Sequence, residues 1–357
     1  MLDFSSALYL GLRHAASTLR PWAQLTTGVP SALREPADAG RLVHRLAALC
    51  GCESAVLAPS TLHLFWDLPA LLGSRAAVLV ESGSYAIGRW GAERAASSGT
   101  PVRTFAHHDP RSLRRALLSC PAGRRPVVIV DSLTPADGPA PLAAYAEHAA
   151  QHGGRLLIDD TQALGILGAR PDARMPYGHG GGGSLRFHAL NAPNVLVIAS
   201  LAKGFGVPLA LLAGARGEVQ RFAAASETRV HCSPPSTAAL RAAEQALAIN
   251  RARGEQLRSR LLRLVLLFRV GVERLGMHCS GGRFPVQALA PMPLAHVTAV
   301  QAVLERHDVR AVAQRHGRSR ARLCFLLTAR HTRADVEQAL AALAAARSLL
   351  SKASLAA

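Results

Sequence analysis

The chain has 357 residues, 49% of them hydrophobic, which is enough for a large core and more than one domain and too apolar for a disordered protein. Its formal net charge is +18, but aromatics make up only 4%, too few for base-stacking platforms, and the arginines are spread along the chain. A general arginine and alanine bias therefore accounts for the charge better than a nucleic-acid partner does.

Six cysteines without a C-x-x-C pair read as reduced thiols, with Cys50 and Cys52 too close for a zinc knuckle. No uncharged apolar stretch reaches a membrane span, and Met1-Leu-Asp-Phe-Ser-Ser6 has no signal-peptide pattern, so a cytoplasmic protein without membrane partner is expected.

Residues 1–35 read as an arm, extended over Phe4–Leu12, with Gly11 as punctuation and a turn-rich loop at Thr26–Pro30. Leu42, Leu46 and Leu49 give Arg41–Cys50 helical spacing. Ser54–Ala58 is a strand that runs through Pro59-Ser60-Thr61 into an apolar helix, Leu62–Leu72. Strand, Ser/Thr turn and helix start outline an anion site, because unbonded N–H groups and the helix dipole favour a phosphate there. N-capping by Ser60 or Thr61 is the plainer account.

Ala76–Val80 is a second strand, followed by Glu81-Ser-Gly-Ser-Tyr85 and a helix through Ala96. Tyr85 at that turn suits a flat ring. Pro101–Phe105 is a short strand. His107 and His108 adjoin, but sequence neighbours rarely face one ion and no carboxylate pattern accompanies them, so no metal is expected. Asp109 reads as the cap of the next helix.

Pro126–Val130 is a strand leading to Asp131–Gly138, and Leu142–Gln151 is a helix. Arg155–Ile158 runs into Asp159-Asp160-Thr161-Gln162, an acidic pair at the carboxyl end of a buried strand, where open α/β sheets place ligands. A capping or salt-bridged aspartate is the alternative. Gly178–Gly183 is a flexible loop without dinucleotide or Walker spacing.

Val195–Ala199 is a buried strand feeding Ser200-Leu-Ala-Lys203-Gly-Phe-Gly206, and Leu209–Ala213 is a further strand. After the break at Ser233-Pro-Pro235 come a long helix, Ser236–Gly276, a strand at Phe284–Leu289, a helix at Val297–Arg306, a strand at Arg322–Thr328 and a final helix, Arg333–Leu350. The expected fold class is α/β, with a doubly wound, mainly parallel sheet in a large domain at 36–240 and a smaller α+β domain at 241–357. The arm at 1–35 contributes to the small lobe and the active site.

Lys203 stands out because the chain has only one other lysine, Lys352. Arginine serves as the surface cation throughout, but its guanidinium stays protonated, whereas a lysine can be tuned to a free amine. A Schiff base is the leading use of such an amine; an ordinary solvated lysine is the plain account.

On these residues the chain resembles the fold-type I pyridoxal-phosphate enzymes of the class I/II aminotransferase superfamily, and among them the α-oxoamine synthase family. The resemblance rests on F-S-S-x-x-Y-L-G-L at 4–12, F-A-H-x-D at 105–109, D-G-x-x-P-L at 137–142, D-D-x-x-x-x-G at 159–165, K-G-F-G at 203–206 and L-T-A-x-H at 327–331. By position it implies pyridoxal phosphate on Lys203, Asp159 at the ring nitrogen, and Tyr85 against the ring. It places the N–H groups of Thr61 and Leu62 and the Ser200 hydroxyl on the phosphate. Ser233 or His231 would serve the partner's phosphate in a homodimer with its active sites at the interface.

Five positions depart from the family. Tyr85 and Gln162 stand where it has histidines, Pro135 where it has a serine, Ala7 where it has an asparagine, and Cys324 where it has the arginine that clamps the substrate carboxylate. Ala7 and Cys324 together remove the clamp, and Arg322, two residues away on the same strand face, is the candidate substitute.

The implied reaction joins the carbanion of an amino acid or amine to an acyl thioester, acyl-CoA or carrier-bound, with or without decarboxylation. Aminotransfer, decarboxylation, aldol-type cleavage and a cofactor-binding subunit without activity are the alternatives.

Overall fold

The structure, a computed structural model, describes residues 1–68, 71, 73 and 75–350. They form two compact units, one of Arg13–Thr134 with Pro139–Gly254, the other of Met1–Leu12, Pro135–Gly138 and the chain from Glu255 onward. The strands in chain order are β1 (Leu2–Phe4), β2 (Ser54–Ala58), β3 (Ala76–Glu81), β4 (Val102–Phe105), β5 (Arg125–Asp131), β6 (Leu133–Thr134), β7 (Gly138–Pro139), β8 (Arg155–Asp159), β9 (Val195–Ser200), β10 (Ala210–Gly214), β11 (Cys279–Ser280), β12 (Val286–Leu289), β13 (Met292–Pro293), β14 (Val309–His316) and β15 (Arg320–Leu326).

The larger unit is built on a seven-stranded sheet in the order β2-β10-β9-β8-β5-β3-β4, in which only β10 runs against its neighbours. Its central strands read as unbroken apolar runs because helices cover both faces of a parallel sheet. Val78, Val127, Leu157, Leu196 and Leu212 are accordingly buried in one cluster.

The parallel strands all end at one edge of that sheet. Glu81, Asp131, Asp159 and Ser200 are the last residues of β3, β5, β8 and β9. The outlying β2 delivers its carboxyl end to the same edge, since Ala58 and Ser200 both pair with Ala210, from opposite sides. The turn at Ser60–Leu62 therefore starts from the edge on which Ser200 ends.

The smaller unit carries a six-stranded sheet with the path β1-β14-β15-β12-β11, and β13 pairs with β15. Leu2–Phe4 zips in parallel onto Val309–Ala311, and buried Phe4 stacks on His331 with ring centroids 4.2 Å apart.

Several expectations change here. The helix expected at Leu62–Leu72 is Thr61–Trp66, and part of the remaining stretch, Leu72 included, lies outside the described residues, as does Lys352. Strand β14 was not expected, because only its first half alternates between buried and exposed residues. The last helix runs Arg333–Ala345 rather than to Leu350.

The unit boundaries also differ from the expected 35/36 and 240/241. The arm divides after Leu12, and the second boundary falls at Gly254/Glu255, inside the continuous helix Thr237–Arg274. No linker marks a boundary within a helix, so composition could not reveal it. Among the described residues, no helix is long and apolar enough to cross a membrane.

Candidate active site

The centre of the larger unit's carboxyl edge is the turn carrying Lys203. Leu201 is fully buried, and its carbonyl accepts the N–H groups of Phe205 (3.1 Å) and Val207 (3.2 Å). Gly206 has φ +68°, a conformation that costs glycine little. Gly204 has no room for a side chain, since a Cβ there would collide with the Leu164 carbonyl of the segment following β8. These constraints explain the glycines of K-G-F-G and press the lysine turn against the Asp159 loop.

Asp159 is 8% exposed at the end of β8. Its Oδ1 accepts the Thr161 N–H (2.9 Å), and the Thr161 hydroxyl accepts the Ser200 N–H (3.0 Å), tying the ends of β8 and β9 together. In the β5–β8 ladder Asp159 lies directly beside Asp131, so two carboxylates share one sheet face at one edge. Asp131 Oδ2 accepts the Tyr85 N–H (3.0 Å).

Burial holds the Lys203 amine below the ordinary lysine value, against the opposing pull of Asp159 and Asp131. Burial likewise raises Asp159, opposed by its hydrogen bonds with Thr161 and by Lys203. Asp131 is pushed up to about 8 by burial first and by the Asp159 charge second. Among the described residues, the amine closes no direct ion pair with either carboxylate.

Asp131 is the residue that the linear reading missed. The signal was present, because Pro126–Val130 ends in an aspartate as Leu156–Ile158 does, but only the strand register makes the two neighbours. The acidic pair Asp159–Asp160 is split by its contacts. Asp160 is buried beneath the Ser184 N–H (3.0 Å), against which a Cβ on Gly183 would collide with its carboxylate. Burial raises it to about 6, opposed by Ser184 and Ser132. Asp160 anchors the glycine loop.

Tyr85 precedes the helix Ala86–Ser97 and is 61% exposed, with its ring centroid 6.0 Å from Lys203 Nζ. Its loop is held by the Glu81 carbonyl accepting the Ser84 N–H (3.0 Å) and by Gly83, which lies flat under the His107 ring. Glu81 also corrects the reading of the paired histidines. Its fully buried carboxylate accepts the Tyr145 hydroxyl (2.7 Å) and the His108 N–H (2.9 Å), and its second oxygen faces His107 Nδ1 at 3.3 Å. A carboxylate therefore does join His107 and His108, whose rings stack at 3.8 Å. Asp109 caps the helix Pro110–Leu118, as expected, by accepting the N–H groups of Arg111 and Ser112.

Ser60, in extended conformation before Thr61, makes no side-chain cap, and its hydroxyl instead pairs with His63 Nδ1 at 2.9 Å. The plainer capping account therefore fails there, and the first-turn N–H groups of Thr61 and Leu62 stay available to an outside acceptor. The Ser200 hydroxyl accepts the Ala202 N–H at 3.2 Å. Gln162 lies half-buried in the turn after Asp159. Ser233 and His231 are exposed, and among the described residues no hydrogen bond joins either to Lys203 or Asp159.

Ala7, Pro135, Arg322 and Cys324 belong to the smaller unit. There Arg322 and Cys324 do share a face of β15, and both donate to Gln314 Oε1, from Nε at 2.9 Å and Sγ at 3.5 Å. Cys324 is buried, which pushes its thiol up against the opposing Arg322 charge.

The raised Asp131 makes a stability prediction. Its carboxyl is protonated in the fold up to about pH 8 but ionised in the unfolded chain above about pH 4. Between those values the fold binds the extra proton, so this group's contribution to stability falls as pH rises. Asp131→Asn, which still accepts the Tyr85 N–H, is expected to stabilise the cofactor-free protein by about 1–3 kcal/mol at pH 9. Urea unfolding at pH 9 and pH 4.5 checks this, with most of the gain absent at the lower pH.

Residues 70–343 match the family described as aminotransferase class I and II. The 8-amino-7-oxononanoate synthase of Halorhodospira halophila is 32% identical over 257 residues, 70% of this chain and 60% of that one. The matched stretch thus spans about three-fifths of that relative's length. Serine palmitoyltransferase from S. paucimobilis, in a structure with bound PLP and myriocin, superposes with a TM-score of 0.85 at 16% identity, covering 96% of this chain and 87% of that one. The 8-amino-7-oxononanoate synthase of Francisella tularensis gives 0.75 at 15% identity, over 96% and 97%. At such identities the structures speak for the fold.

Proposed function

The chain belongs to the class I and II aminotransferase family, and we propose that it is a pyridoxal-phosphate-dependent transferase that joins an amino acid or amine to an acyl thioester. One observation carries this reading: the half-buried amine of Lys203 stands at the sheet edge where buried Asp159 and half-buried Asp131 lie side by side, and both carboxylates act on it. Lys203 closes no direct ion pair with either, and burial first and the Asp159 charge second push Asp131 up to about 8, so a further cation is favoured beside the two carboxylates. A ring with a protonated pyridine nitrogen supplies that cation, so the residues fit the cofactor.

Lys203 would hold the cofactor's aldehyde carbon and Asp159 its ring nitrogen. Thr61, Leu62 and Ser200, at one sheet edge, would hold its phosphate. Tyr85 would cover the ring face. Pyridoxal phosphate, when bound, serves as the electron sink that makes a proton on the substrate's α-carbon removable. Lys203 is the base placed to take that proton, because burial already favours its neutral amine. The Thr161 N–H and hydroxyl oppose the desolvation that raises Asp159, and so favour its charged form beside the ring nitrogen. Tyr85, with its ring centroid 6.0 Å from the Lys203 amine, serves as a surface. The exposed Ser233 is assigned to the partner's phosphate in a homodimer.

The relatives named 8-amino-7-oxononanoate synthase support acyl condensation. A second reading, aminotransfer, is favoured by the smaller unit. Ala7 and Cys324 offer no anion-binding group there, and Arg322 is engaged by Gln314. The test is thiol release from an acyl thioester by the cofactor-loaded protein, across a panel of amino acids and amines. Release that requires both substrates is expected. Nitrogen transfer to a keto acid with no thiol released would overturn the condensation reading in favour of the second.

A further inference from the structure

A cavity of about 440 Å³ opens on the larger unit, and five of its lining residues are arginines: Arg20, Arg41, Arg45, Arg241 and Arg251. Arg41 and Arg45 lie one turn apart on the helix Ala39–Cys50. Arg241, Glu244, Gln245 and Arg251 line it from the long helix Thr237–Arg274.

Two acids neutralise two of these cations. Asp38 pairs with Arg41 (2.7 Å) and Arg241 (2.8 Å), and Glu244 pairs with the same two at 3.3 and 3.5 Å. Arg20, Arg45 and Arg251 have no carboxylate partner among the described residues. Three uncompensated guanidiniums therefore face one concave space. Their planar forks suit bidentate contact with phosphate oxygens, which a lysine cannot reproduce. The volume exceeds what one phosphate needs and falls in the range of small-ligand sites, while Leu19 and Ala248 supply an apolar patch of the wall.

The cavity is also tied to the Lys203 turn. Gln245 donates from Nε2 to the Thr18 carbonyl (3.1 Å), and its Oε1 lies 2.9 Å from His14 Nδ1. The other nitrogen of His14 lies 2.9 Å from the carbonyl of Phe205, within K-G-F-G. A ligand that engages Gln245 thus stands one imidazole away from the backbone that positions Lys203.

We propose that this arginine cavity binds a diphosphate-bearing small molecule, and that His14 couples its occupancy to the Lys203 turn. The proposal is independent of the acyl-condensation reading, since it concerns a second site.

The test is calorimetric titration with inorganic pyrophosphate, in saturating pyridoxal phosphate so that the Ser60–Leu62 turn is not the site observed. Arg45→Gln/Arg251→Gln is expected to weaken binding about tenfold or more. The control is Arg315→Gln/Arg318→Gln, which removes the same charge from an exposed stretch of the smaller unit and is expected to leave binding unchanged. ADP in place of pyrophosphate separates the sources: equal affinity assigns the ligand as the diphosphate alone, and tighter binding of ADP assigns a nucleotide.

Hydrogen exchange supplies the second readout. Pyrophosphate is expected to slow exchange of the 201–207 amides in the wild type and not in His14→Ala. Equal loss of binding in both arginine pairs, or no binding at all, overturns the site. Unchanged exchange in the wild type overturns the coupling.

Discussion

A Lys203→Ala variant is expected to lose at least about 10³-fold in turnover, because no other described group can serve both as the amine that holds an aldehyde and as the base beside it. The composition sharpens the experiment. With only Lys203 and Lys352 in the chain, borohydride reduction of the pyridoxal-phosphate-loaded wild type should fix the cofactor on the peptide containing Lys203 and nowhere else. Lys203→Arg separates charge from amine chemistry. It restores a cation beside Asp159 and Asp131 but offers no titratable nitrogen, so it should be as inactive as the alanine variant. In Lys203→Ala one of the two influences that lower Asp131 is gone, the Tyr85 N–H remaining, and that carboxyl should hold its proton to still higher pH. Label on Lys352, or turnover surviving in either variant, would remove Lys203 from the centre of the site.

The parts of this site that were legible in the sequence are those written as strand ends. Asp159 and Lys203 each follow an apolar run, and a parallel sheet converts such runs into groups standing at one edge. Ser60-Thr61 was legible for the same reason, although the antiparallel β10 was needed to bring β2 to that edge.

What stayed hidden depends on register or on distance along the chain. Asp131 becomes a neighbour of Asp159 only through the β5–β8 pairing, and Glu81 meets His107 only because β3 and β4 run side by side. His14 gave no sign at all, since its partners, Gln245 and Phe205, are 231 and 191 residues away. The adjacent histidines show the same limit from the other direction. Two neighbours in sequence do share one carboxylate, because His108 occupies the left-handed region at φ +52° and folds its ring onto His107.

The lone elements of the smaller unit were read through their spacing, which worked for Arg322 and Cys324. Alternation along a strand places residues two apart on one face, and both reach Gln314. Strand β14, whose last four residues are all exposed, carries no such alternation there and was passed over.

Asp159→Asn is expected to cost about 10²–10³-fold in turnover while leaving the protein folded and able to bind the cofactor, the size of effect seen when one preorganised electrostatic partner is removed. The asparagine side chain still accepts the Thr161 N–H, so the link between β8 and β9 survives and the loss is one of charge. Two neighbours report that loss. The Asp159 charge raises Asp131, so Asp131 should ionise at lower pH in the variant. It also raises Lys203, so the amine should lose its proton more readily. The pH dependence of cofactor absorbance and of turnover follows both changes, and both should move to lower pH. Asp131→Asn provides the contrast. It keeps the Asp159 charge beside Lys203, so its loss in turnover should be the smaller of the two. If the two variants lost activity equally, the carboxylates would be acting as one proton-sharing pair, and the distinct role given to Asp159 would fall. If Asp159→Asn left turnover untouched, the buried carboxylate at the end of β8 would be a structural anchor like Asp160, one residue further on.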